Sequence, residues 1–93
     1  MISKEMKSRI EEAEVMLAER FESITIGTRR CFRLSNGRII SVGCMGAYNA
    51  LVIEYAESEA EAKLNRFEDG DLFFLDEMDS ETMHRNMIQE ILQ

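Results

Sequence analysis

The sequence predicts an α+β domain: a small antiparallel sheet of three to four strands with helices packed on one face, in the order α-β-β-β-α-β-α. Three observations predict it. Apolar residues recur at helical spacing at both ends of the chain, the period changes to two in the middle, and Asn36-Gly37 marks a hairpin between two alternating stretches. With 93 residues, 45% hydrophobic and 31% charged, the chain suits a single domain over residues 1–93. It contains no proline, and no linker, repeat or low-complexity tract stands out.

Ser3 is placed to cap a first helix. Met6, Ile10, Ala13, Leu17 and Phe21 form one helical stripe, which predicts a helix running to about Glu22. From Ile24 to Leu34 β-branched and aromatic residues alternate with polar ones and read as extended chain entering a strand. The expected inward residues are Arg30, Phe32 and Leu34, facing Ile40, Val42 and Cys44 on the next strand.

Those two sets decide the register of the hairpin. A two-residue loop at Asn36-Gly37 would set Phe32 against Ser41 and put the two sets on opposite faces. A three-residue loop, Ser35-Asn36-Gly37, with Gly37 left-handed in a bulge, sets Phe32 against Ile40 and aligns them. The bulged hairpin is the expectation.

Gly43 and Gly46 punctuate the next connection. Ala50 to Ala56, interrupted only by Glu54, then reads as a central strand covered on at least part of both faces. Ser58-Glu59-Ala60-Glu61 has the form of a capping box before a short helix with Ala60, Leu64 and Phe67 inward. Glu68-Asp69-Gly70-Asp71 reads as a turn and Leu72-Phe73-Phe74-Leu75 as a short edge strand. Ser80 opens the last helix, whose apolar face is Met83, Met87, Ile88, Ile91 and Leu92.

The charge is unevenly placed. Residues 1–22 carry four basic and six acidic side chains; residues 23–53 carry four arginines and no acid; residues 54–93 carry three basic and twelve acidic ones. The segments thus sum to −2, +4 and −9, for a net charge of −7. Arg29, Arg30, Arg33 and Arg38 with Phe32 among them resemble a β-ribbon that grips phosphates. Against that, twelve carboxylates in so small a domain repel a polyanion, with screening only beyond roughly 8 Å at physiological salt. The arginines are therefore expected to pair with the protein's own acids, and nucleic acid is not the expected partner.

Other chemistry is thinly represented. Cys44 and His84 offer a thiol and an imidazole, yet nothing local pairs them, and Cys44 in an alternating strand reads as a small buried hydrophobe. Asp69, Asp71, Asp76, Glu77 and Asp79 put five carboxylates within eleven residues. The calcium loop of an EF-hand fails on them, because the positions that need glycine and glutamate hold Phe74 and Ser80. One histidine and two cysteines without C-x-x-C spacing argue against zinc. No catalytic residue, metal or cofactor is assigned.

The start of the chain runs straight into the helical pattern without the apolar stretch of an export signal, and no window has the length of a membrane span. With only Cys31 and Cys44, a cytoplasmic protein with free thiols and no membrane association is expected. The functional expectation is a small acidic interaction module: an adaptor, an inhibitor, or a binder like immunity and antitoxin proteins in size and acidity alone. Its expected partner is a basic protein or a second copy of the chain. The candidate surface comprises Glu57, Glu59, Glu61, Glu68, Asp69, Asp71, Asp76, Glu77, Asp79 and Glu81, with Arg29 and Arg33. The competing reading is a ligand or enzyme pocket between sheet and helices, drawing on Cys44, Tyr48, Asn49 and His84.

Overall fold

The computed structural model describes residues 2–93. Three helices and five strands follow in the order α1 (Lys4–Ala18), β1 (Glu22–Ile26), β2 (Arg29–Arg33), β3 (Ile39–Met45), β4 (Ala50–Ala56), α2 (Glu59–Lys63), β5 (Glu68–Phe74) and α3 (Ser80–Ile91). The strands form one antiparallel sheet in sequence order, with β1 and β5 at its edges. The α+β class is as expected; the element order is α-β-β-β-β-α-β-α, one strand more than the pattern suggested.

The extra strand comes from a second hairpin inside the stretch Ile24 to Leu34. Ile26 pairs with Arg29 across a two-residue loop, Gly27-Thr28, in which only Gly27 has a positive φ, of 63°. A glycine at the first loop position is the mark of a type II′ turn, whose twist matches that of the flanking strands. The first helix is also shorter than its stripe. It ends at Ala18, and Phe21 reaches the core from the turn that leads into β1.

The Asn36-Gly37 hairpin of β2 and β3 follows the bulged register. Phe32 pairs with Ile40, the Leu34 N–H donates to the Arg38 carbonyl at 2.9 Å, and the Gly37 N–H donates to the Leu34 carbonyl at 3.0 Å. Gly37 sits at a φ of 89°, where a side chain would strain the backbone. Phe32, Leu34, Ile40 and Val42 consequently share the helix-covered face of the sheet.

That face holds the main core. Met6, Ala13 and Leu17 of α1 and Met83, Met87 and Ile91 of α3 close over Phe32, Leu34, Ile40, Val42, Leu51, Ile53, Phe73 and Leu75. Each large side chain buried here contributes roughly 1.5–3 kcal/mol of transfer free energy. Ser3 and Asp79 cap the two long helices by accepting the amides of Met6 and Thr82.

The far face is covered only in part. A smaller cluster of Cys31, Ile39, Ala56 and Ala62, with Ile24, Ile26 and Phe67 packed against it, lies under α2. In that short helix Ala62 points inward, whereas Ala60 and Leu64 are exposed, contrary to the expected inward set. Helix α2 has too few turns to build a stripe. Its capping box is half made: Ser58 Oγ accepts the Glu61 amide at 3.2 Å, while the Glu61 carboxylate turns to Arg66 at 3.4 Å.

Glu68 to Asp71 belong to β5 and make no turn. Val52 pairs with Leu72 and Glu54 with Asp69, so Ile53 faces both Gly70 and Asp71 in a bulge. At Gly70 a Cβ would crowd the carboxylate of Glu90 arriving from α3. Glu90 also accepts the Tyr55 hydroxyl and, at 2.7 Å, the Asp71 amide, which ties α3 to two strands. Among the described residues no helix is long and apolar enough to cross a membrane.

Candidate interaction surface

Arg29, Arg30 and Arg33 lie on β2, where Arg29 and Arg33 face one way and Arg30 the other, and Arg38 lies in the loop before β3, so the four leave the sheet in different directions and find different partners. Arg29, on the far face, places Nη1 2.7 Å from Glu54 Oε1 and donates from Nη2 to Asn65 Oδ1 at 3.1 Å, with its guanidinium 4.1 Å from the Phe67 ring centre. Glu54, the one charged residue in β4, reaches Arg29 by lying across β3 at Gly43. A Cβ at Gly43 would come within 2.8 Å of that carboxyl group. Gly43 thus sits inside β3 as a crossing point rather than in a connection.

Arg33 bridges two carboxylates, Glu22 of β1 at 2.6 Å and Glu59 of α2. The effect is mutual. Hydrogen bonds from Arg33 and then Lys63 hold the Glu59 carboxyl below the usual carboxylate range, and the bonds to Glu22 and Glu59 raise Arg33 further. Arg30, on the helix-covered side but exposed, stands 3.9 Å from Glu14 of α1, whose carboxyl is pushed up by burial. Arg38 stacks on Tyr55, 4.6 Å from its ring centre. The arginine hairpin is therefore engaged within the chain, and Arg29 and Arg33 act as struts rather than as an open basic surface.

The acidic candidates divide in two. Glu59, Glu61 and Glu81 have cationic neighbours: Arg33 and Lys63, Arg66, and Arg85 respectively. Asp79 caps α3, and the Thr82 amide lowers its carboxyl pKa. By contrast Glu57, Glu68, Asp69, Asp71, Asp76 and Glu77 form no ion pair with any described residue. All six are exposed.

These six follow the β5 edge of the sheet. Glu68, Asp69 and Asp71 are on the edge strand β5, Glu57 follows β4 beside its start, and Asp76 and Glu77 follow its end. A seven-residue strand extends the strip over roughly 23 Å. Among the described residues no three His, Cys, Asp or Glu side chains converge as a metal would require. Strand alternation explains the dispersal, since successive carboxylates point to opposite faces.

Of the four residues of the pocket reading only two come together. Cys44 and Asn49 line one concavity of about 330 Å³ with Ile2, Ser3 and Met6. His84 lines a shallow groove of about 500 Å³ between the outer faces of α1 and α3, with Glu11, Glu12, Val15, Met16 and Glu19. Tyr48 stands 61% exposed on a 3₁₀ turn. Compared with protein-family models, with curated proteins and with solved structures, the chain matches none, so its own surfaces carry the functional reading.

Proposed function

We propose that the protein is a small, non-catalytic interaction module, of the adaptor, inhibitor or immunity and antitoxin kind, whose β5 edge receives a basic protein partner. The observation that carries this reading is the unequal use of charge. Each hairpin arginine has a partner within the chain, a carboxylate for Arg29, Arg30 and Arg33 and the Tyr55 ring for Arg38, whereas the strip from Glu57 through Glu68, Asp69 and Asp71 to Asp76 and Glu77 is left with exposed, unneutralised acid. A strip of one sign steers a partner of the other sign and selects it without any reacting group.

Affinity capture with the full chain at low and high salt tests the reading. A captured basic protein whose affinity falls steeply with salt, and falls again in the triple variant Glu68→Gln, Asp69→Asn, Asp71→Asn, is the expected result. A captured partner indifferent to both salt and the triple variant would remove the β5 strip as its binding surface.

A further inference from the structure

The two edges of the sheet are protected unequally. β5 carries Glu68, Asp69 and Asp71 and a bulge opposite Ile53, and such charges and bulges keep an exposed strand from pairing with another copy. β1, Glu22-Ser23-Ile24-Thr25-Ile26, is regular, β-branched and charged only at its first residue, whose carboxylate Arg33 holds. No helix covers it: Ser23 and Thr25, on the helix side beside Phe32 and Arg30, are exposed.

The loop geometry shows which backbone groups of β1 are free. A two-residue turn makes its flanking residues, Ile26 and Arg29, a hydrogen-bonded pair, and alternation gives Ile24 with Cys31 and Glu22 with Arg33 the same status. Ser23 and Thr25 therefore direct their N–H and C=O groups away from β2.

We infer that β1 is the interface of a homodimer: two copies pair β1 antiparallel about a two-fold axis at Thr25, joining their sheets into one. In this register Thr25 exchanges both backbone hydrogen bonds with Thr25 of the second copy, and Ile24 stands opposite Ile26 of that copy. Both isoleucines lie on the far face, half-buried against the Cys31 and Ile39 cluster, so pairing runs one apolar stripe into the other. Glu22 falls opposite Thr28, and no like charges meet. β5 lacks this self-complementarity, since a pair about its central residue would set Asp71 against Asp71. The interface is closed by its own symmetry and leaves the β5 edge of each copy open.

Sedimentation equilibrium on the full chain at low and high salt tests the inference, together with T25K, T25E and T25P. The expected wild-type mass is twice that of one chain at both salt concentrations. T25K and T25E each fall to the mass of one chain because like charges oppose on the axis. An equimolar mixture of the two returns to the double mass, which unfolded variants could not do. T25P falls to one chain as well, since proline deletes the outward N–H without touching the ladder to β2. A wild-type chain that sediments as a monomer, a T25K variant that stays dimeric, or a mixture that stays monomeric would each overturn it. None of these results depends on the acids of β5, so the inference and the proposed function fail separately.

Discussion

The arginine hairpin and the β5 edge carry charge of opposite sign and meet opposite fates. β2 lies one strand in from the edge, with β1 on one side, β3 on the other, and helices or α2 above and below, so Arg29, Arg30 and Arg33 each come within reach of a carboxylate. β5 ends the sheet, and no basic element lies beyond it. The difference teaches that local charge density does not decide which charges stay unpaired; the strand's place in the sheet does.

The largest expected effect breaks the internal side of this comparison. Gly43→Val puts two methyl groups where the Glu54 carboxylate crosses β3, separating it from Arg29, and about 1–3 kcal/mol of stability is expected to be lost in chemical denaturation. A stability equal to wild type would show that the crossing contributes nothing. On the β5 side, the Glu68, Asp69 and Asp71 triple variant is expected to change stability by no more than about 0.5 kcal/mol per site. Partner binding is the property that should move, and a triple variant that unfolds would make those acids structural.

The smallest expected effect concerns His84, which is neither a strut nor part of the strip. Burial in the groove beside α1 holds it below the ordinary value of 6.5. A base whose folded pKa is depressed favours the fold while neutral, so its stabilisation is complete above 6.5 and is lost as pH falls toward the folded pKa. The melting temperature should fall slightly across that window, and His84→Gln should flatten the fall. An unchanged slope in the variant would assign the dependence to other groups.

Much of the fold was legible because it is encoded over short distances. Ser3 and Ser58 declare helix starts within three residues of the amides they accept. Asn36-Gly37 with the apolar alternation on both sides yields the bulged register without any long-range knowledge. The Gly27-Thr28 turn was equally local, but two polar residues in a long alternating stretch look like a continuation of the strand. Only the positive φ of Gly27 reveals the reversal.

The candidate surface was legible as composition and not as geometry. Its acids could be counted, but Glu59, Glu61 and Glu81 looked like Glu68 and Asp69 until the positions of Arg33, Arg66 and Arg85 separated them. The Glu90 contacts had a faint signal in Gly70, a glycine within a strand, which marks a close approach from elsewhere. A glycine among acids reads more readily as a turn, and the arriving carboxylate lies twenty residues further along the chain.

By itself the sequence determined the α+β class, the capped helices, the hairpin register and the excess of acid, because each depends on neighbours a few residues apart or on totals. Only the tertiary structure decided that Glu54 passes over Gly43 to Arg29, that β5 ends the sheet with its acids exposed, and that β1 is left as an edge charged only at Glu22. Those outcomes depend on strand order and on side chains meeting across gaps of twenty residues or more, and no local preference of the chain contains that information.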